Sequence, residues 1–232
     1  MPIHAVEPRR LYRQVADQLR QLIEAGEFPV GARLPTEREL AEQLGISRPT
    51  VREALIALEV EGQIRIRVGS GIFVTVPPSA PTPVRGSHEG PLELLRAREF
   101  IEGAIAAEAA VLVDPVGIKL LDDTLLRMED AGDTVGTAIA LDREFHATVA
   151  GILGNAVLVR FIGELFDQRM TPYFERLSIY FENTESWRAA VKEHRAVRDA
   201  IAAQDPKQAK AAMQKHLQLS QARFSQNFGK IS

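Results

Sequence analysis

The sequence predicts a mainly α chain in two parts: an N-terminal unit of three helices plus a β-hairpin, then an all-α antiparallel bundle of six or seven helices. Three observations carry this expectation. The stretch Val76-Pro77-Pro78-Ser79-Ala80-Pro81-Thr82-Pro83 places four prolines in seven residues and can continue neither a helix nor a central strand. Before it, helical periodicity gives way to a short alternation of apolar and cationic residues. After it, helical periodicity runs to the end of the chain. The boundaries are therefore 1–76 for the first domain, 77–90 for a proline-rich linker and 91–232 for the second domain.

In the first domain, Leu11, Val15, Leu19, Leu22 and Ile23 share one face of a helix that ends near Gly26. A second helix opens at Thr36-Glu37-Arg38-Glu39, a capping box, and closes at Leu44-Gly45. Ser47 caps a third, with Pro49 tolerated in its first turn. Two helices joined by a turn of about three residues, with a glycine to supply the left-handed conformation, make a helix-turn-helix. In the third helix Val51, Ala54, Leu55 and Leu58 form the buried stripe, while Arg48 and Arg52, four apart, share a face near its N-terminal end. Ile64-Arg65-Ile66-Arg67-Val68, then Gly69-Ser70-Gly71, then Ile72-Phe73-Val74 read as a hairpin wing with a small tip.

The second domain contains two Asp-Pro helix starts, Asp114-Pro115 and Asp205-Pro206. With the apolar spacing they place helices at about 91–113, 115–131, 134–153, 156–182, 185–204 and 206–228, the fourth kinked or broken at Thr171-Pro172. Short connections make these an antiparallel bundle. Trp187 and the phenylalanines at helical spacing read as core.

Composition narrows the function classes. An apolar fraction of 45% and a charged fraction of 25% are those of an ordinary soluble protein. The absence of cysteine excludes a disulfide framework, a thiolate metal site and a cysteine nucleophile. The apolar run from Ala104 to Val113 is interrupted by Glu108 and is shorter than the roughly 20 residues of a membrane span. The N-terminus has no basic segment followed by an apolar stretch, so a cytoplasmic protein is expected. Net charge is −3, yet all ten cations among residues 1–80 are arginine, whose planar fork suits phosphates and guanine edges. Gly69-Ser70-Gly71 has neither a following lysine nor a strand-to-helix context and is no phosphate cradle. No Ser-His-Asp order or nucleophile elbow is present.

Two groups of residues could carry chemistry in the bundle. Asp142 precedes His146 by four residues, so carboxylate and imidazole project from one helix face, and His194 and His216 lie on two later helices. Three imidazoles and a carboxylate suit a divalent metal, zinc first, with nickel or manganese as alternatives. Against this stands the commoner fate of a helical histidine, a surface or hydrogen-bonded residue. Arg98 and Glu102 are also four apart: either an exposed ion pair, the ordinary case, or a site in which Arg98 faces a cavity and clamps a ligand carboxylate.

The runs Leu34-Pro35-Thr36-Glu37-Arg38-Glu39-Leu40-Ala41, Ser47-Arg48-Pro49-Thr50-Val51-Arg52-Glu53-Ala54-Leu55 and Gly69-Ser70-Gly71-Ile72-Phe73-Val74 resemble the winged-helix domain of GntR-family bacterial transcription regulators. The bundle, with Asp142, His146, His194 and His216, resembles the ligand-binding (FCD) domain of the FadR subfamily. The segments Glu7-Pro8-Arg9-Arg10-Leu11-Tyr12, Leu58-Glu59-Val60-Glu61-Gly62 and Gly90-Pro91-Leu92-Glu93-Leu94-Leu95-Arg96-Ala97-Arg98 look most like those of hexuronate-utilisation repressors. The resemblance implies operator contacts by Arg38, Arg48, Thr50 and Arg52, with Gly69 and Gly71 at the minor groove. It implies a divalent metal on Asp142, His146, His194 and His216, and an effector cavity lined by Arg98. The expected protein is a repressor, a homodimer reading a palindromic double-stranded operator and responding to a small organic acid such as a hexuronate or aldonate. A metal-dependent enzyme and a direct metal sensor are the alternatives that the same His/Asp set allows.

Overall fold

The computed structural model describes residues 11–67, 69–76, 90–130, 135–168 and 183–226. The chain forms two compact units that meet in sequence between Gly90 and Pro91. Both are mainly helical, as expected. The linker residues 77–89, Val68 of the first wing strand and the break at Thr171-Pro172 fall outside the described residues.

The first unit runs α1 (Leu11–Glu24), α2 (Glu37–Leu44), α3 (Arg48–Val60), β1 (Ile64–Arg67) and β2 (Gly71–Val74). Helix α1 buries Tyr12, Val15, Ala16 and Leu19. Leu11 is exposed and Leu22 and Ile23 are half-buried, so the buried face is turned toward Tyr12 and Ala16 relative to the sequence reading. Thr36 caps α2 in a full capping box: Glu39 N–H donates to its hydroxyl, and the Glu39 carboxylate accepts from Thr36 N–H at 2.8 Å. Gly45 ends the helix in the left-handed region at φ 65°, a conformation costly for a residue with a Cβ. Ser47 then caps α3 by accepting from Thr50 N–H. Val51, Ala54, Leu55 and Leu58 are buried, as expected. The hairpin pairs Ile64 with Val74 and Arg67 with Gly71 in antiparallel register. Ile64, Ile66, Ile72 and Val74 face the core while Arg65 and Arg67 face out.

The second unit comprises α4 (Pro91–Leu112), α5 (Pro115–Asp130), α6 (Val135–Gly151), α7 (Ala156–Asp167), α8 (Thr184–Ala202) and α9 (Pro206–Gln226). Both Asp-Pro starts are built as expected. Asp114 Oδ1 accepts from Gly117 N–H at 2.7 Å, and Asp205 Oδ1 from the N–H groups of Lys207 and Gln208 at 3.0 Å. The core joins Ala106, Ala109 and Ala110 of α4 to Leu121 and Leu125 of α5, Phe145 of α6, Phe166 of α7, Ile201 of α8 and Met213 of α9. Trp187 is half-buried against this core and donates its indole N–H to the Met128 carbonyl at 3.1 Å. Phe100, 74% exposed, departs from the expectation that phenylalanines are core, because it lies on the outer side of α4.

Candidate functional site

Three helices of the bundle deliver the predicted quartet to one place. Asp142 and His146 come from α6, His194 from α8 and His216 from α9, and one donor atom of each lies within 4.8 Å of the others. All four are buried, Asp142 the least so at 8% exposed. His146 Nε2 is 3.1 Å from His194 Nε2, and Asp142 Oδ1 lies 3.1 Å from His194 Nε2 and 3.5 Å from His146 Nε2.

Those spacings bear on whether a metal fits. Two donors each about 2.0–2.2 Å from a shared ion are separated by roughly 2.8–3.6 Å at octahedral or tetrahedral angles. The Asp142, His146 and His194 donors are therefore already spaced as edges of a coordination polyhedron, with His216 within 4.8 Å of them, and neutral imidazoles with a carboxylate match zinc, nickel or manganese.

The next layer of side chains fixes which nitrogen points inward. Glu102 of α4 places Oε2 against His146 Nδ1 and accepts from Arg98 Nε at 2.6 Å through Oε1. Glu193 of α8 accepts from His216 Nδ1 at 2.9 Å and from Arg223 at 2.6 Å. A carboxylate on Nδ1 keeps the proton there and leaves the Nε2 lone pair free for an ion, the arrangement usual behind metal-bound histidines. His194 Nδ1 is buried with no hydrogen-bond partner among the described residues.

The electrostatics favour the ligating form at two of the three histidines. Burial alone would raise the Glu102 carboxyl, but the Arg98 guanidinium and His146 outweigh it and bring its pKa down to about 2. His146 is raised: burial opposes the imidazolium, and Glu102 beside it more than compensates. His216 is pushed down to about 3 by burial and by His194, and burial also lowers His194. At neutral pH His194 and His216 are thus held neutral, the form that ligates metal.

Arg98 and Glu102 are 1% and 2% exposed, so the exposed ion-pair reading is replaced by a buried one. The Arg98 guanidinium stacks 3.9 Å above the Phe166 ring, and its Nη2 has no hydrogen-bond partner among the described residues. Sequence reasoning singled out Glu102 only as the partner of Arg98; it did not find its contact with His146, nor Glu193 and Arg223 behind His216. The sole signal available was the run of basic and acidic residues at helical spacing, which most exposed helices share.

In the first unit, Arg38 is exposed and lies 3.8 Å from Glu42. Thr50 pairs its hydroxyl with Ser47 at 2.8 Å. Arg48 is half-exposed at 47% and donates Nε to Glu37 at 3.0 Å. Arg52 differs from the sequence reading, which set it beside Arg48 facing DNA: it is 1% exposed and donates Nε and Nη2 to Glu37 at 3.0 and 2.7 Å. Gly69 and Gly71 at the wing tip have φ of 72° and 120°.

Comparison with known proteins places both units. Residues 11–74 match the family described as bacterial regulatory proteins, gntR family, and residues 93–219 match the FCD domain. The chain is 36% identical over 220 residues to the Exu regulon transcriptional regulator of Escherichia coli K12, covering 91% of this chain and 83% of that one. It is 31% identical over 222 residues to the Uxu operon transcriptional regulator of the same strain, covering 92% and 86%. The solved structure of E. coli McbR/YncC is similar in fold, with a TM-score of 0.53 at 23% identity, covering 95% of this chain and 99% of that one.

Proposed function

The chain belongs to the gntR family of bacterial regulatory proteins and carries an FCD domain; it is a transcription regulator and not an enzyme, and from this premise we propose how it works. It is a cytoplasmic repressor of the FadR subfamily, divided into a DNA-binding domain (1–76), a linker (77–90) and an effector domain (91–232). As a homodimer it sets two α3 helices into half-sites of a palindromic operator about one DNA turn apart. Arg38, Arg48 and Thr50 form the contact surface, with Arg52 buried behind them on Glu37, and with Gly69 and Gly71 at the minor groove. The effector domain holds a divalent ion on Asp142, His146, His194 and His216, and takes a small organic acid. The observation that carries this reading is the convergence of three imidazoles and a carboxylate, two of the imidazoles backed by a carboxylate on Nδ1.

When bound, the ion supplies a Lewis-acid anchor for a ligand oxygen. The chain's own residues do the rest. Glu102 and Glu193 hold the imidazoles in register, and Arg98 offers Nη2 to a ligand carboxylate as a charge-assisted donor. No helix among the described residues is long and apolar enough to cross a membrane. The likeness to the Exu and Uxu regulators supports a hexuronate as the acid, with an aldonate as the alternative of similar chemistry.

The test is a thermal-shift screen of zinc-loaded and chelator-stripped protein against hexuronates, aldonates and dicarboxylates. A ligand that binds only the native state at about 100 times its Kd stabilises by roughly 2.7 kcal/mol. The expected result is a shift from one sugar acid that disappears on stripping and in His194→Ala. A shift from metal alone, with operator affinity following the metal and no acid active, would replace the acid sensor by a direct metal sensor.

A further inference from the structure

We infer that Glu37 is a positioning residue that sets DNA specificity, holding Arg48 and Arg52 in a fixed division of labour; this rests on the DNA-binding reading above. Glu37 is the first residue of α2 and Arg48 the first of α3, so the turn between the helices brings them side by side. The Glu37 carboxylate, 11% exposed, serves both arginines at once. Its Oε1 accepts from Arg48 Nε at 3.0 Å and from Arg52 Nη2 at 2.7 Å, while Oε2 accepts from Arg52 Nε at 3.0 Å.

The two arginines are held differently. Arg52 commits its whole Nε/Nη2 edge to Glu37 and is 1% exposed, so it acts as a brace between α2 and α3. Arg48 commits Nε alone, and its Nη1 and Nη2 are not engaged by Glu37. Those two nitrogens are the pair that a guanine edge or a phosphate would receive. An unrestrained arginine loses much of its rotamer freedom when a partner orders it. Glu37 imposes that order beforehand, so Arg48 meets a base edge in one geometry. The same carboxylate cancels one of the two positive charges at the start of α3, which weakens attraction to phosphates of any sequence.

Both effects are measurable with the full-length chain, a duplex that the wild type recovers from a randomised pool, and a scrambled duplex of equal length. In Glu37→Gln the ratio of the two affinities should fall at least about tenfold, from one loosened base contact. The salt dependence of binding to the scrambled duplex should steepen by about one, from one uncovered cation. Glu37→Asp keeps the charge but shortens the reach, so it should lower the ratio without changing the salt dependence; it also carries the test if Glu37→Gln folds poorly. A ratio unchanged in both variants, or both affinities falling in parallel, overturns the inference. Arg48→Ala separates the two levels. If it abolishes preference for the recovered duplex while Glu37→Gln leaves that preference intact, DNA reading by Arg48 stands and the role of Glu37 falls. If Arg48→Ala changes nothing, the reading beneath falls and the inference with it.

Discussion

In the bundle, Glu102 is shared between Arg98 and His146, and Glu193 between His216 and Arg223; in the N-terminal unit, Glu37 is shared between Arg48 and Arg52. The arrangement is the same, one carboxylate between two bases, but its surroundings differ. Glu102 and both of its partners are at most 2% exposed, whereas Arg48 at 47% keeps one side in water. A carboxylate enclosed on all sides fixes a tautomer and neutralises an interior. One placed at an edge lends order to a cation that still has to meet something outside. The difference teaches that burial, more than pairing, decides whether such a cluster acts inward or outward.

The contrast predicts a ranking of losses. Glu102→Ala strands the Arg98 guanidinium and His146 in a dry interior, and removing one partner of a buried pair costs about 3–5 kcal/mol. Trp187, the single tryptophan, lies in the bundle and reports its unfolding in denaturant; a loss under about 1 kcal/mol would remove the distinction between the two clusters. Glu37→Gln should cost less, about 1.5–3 kcal/mol for hydrogen bonds to charged groups, read from far-ultraviolet circular dichroism. If its loss equals that of Glu102→Ala, the half-exposed side of Arg48 brings no relief. Below these comes Ser47→Ala, which deletes the cap of α3 at a cost of about 1 kcal/mol and should leave the midpoint of the bundle unmoved.

The smallest effect is a pH dependence at the α2 cap. Glu39 titrates below the ordinary 4.5 because Thr36 donates its backbone N–H and then its hydroxyl to the carboxylate. A lowered folded pKa gives stability that is present above the unfolded value and lost as pH falls through the folded one. The gap in thermal midpoint between wild type and Glu39→Gln should therefore be full at neutral pH and close below 4.5. A gap that widens on acidification would assign the cap's stability to something other than the charge.

Much of this was legible from residues alone. Thr36, Gly45 and Ser47 act through neighbours three or four positions away, so their caps and the turn between α2 and α3 could be read from spacing. Asp142 and His146 share a helix face for the same reason. What spacing could not supply were contacts between helices far apart in sequence, such as His146 with Glu102 and His216 with Glu193. Arg52 shows the limit most plainly. Four residues on a helix amount to about 400°, so Arg52 is rotated roughly 40° from Arg48. That rotation suffices to carry one under α2 while the other stays at the edge, and only the packing of α2 tells which.

The wing tip carries a consequence for how this sequence can change over time. Gly71 has φ 120°, and a Cβ added there would lie 2.5 Å from Arg33 Nε. The two constraints are unequal. Arg33 is exposed, and its long side chain can step aside for a methyl group, but no such movement relieves the backbone angle. Replacing Arg33 therefore does not open position 71 to other residues, and the dependence between the two sites runs in one direction only. The backbone angle by itself keeps residue 71 a glycine, whatever side chain stands at residue 33: the shape of the tip is set apart from its charge.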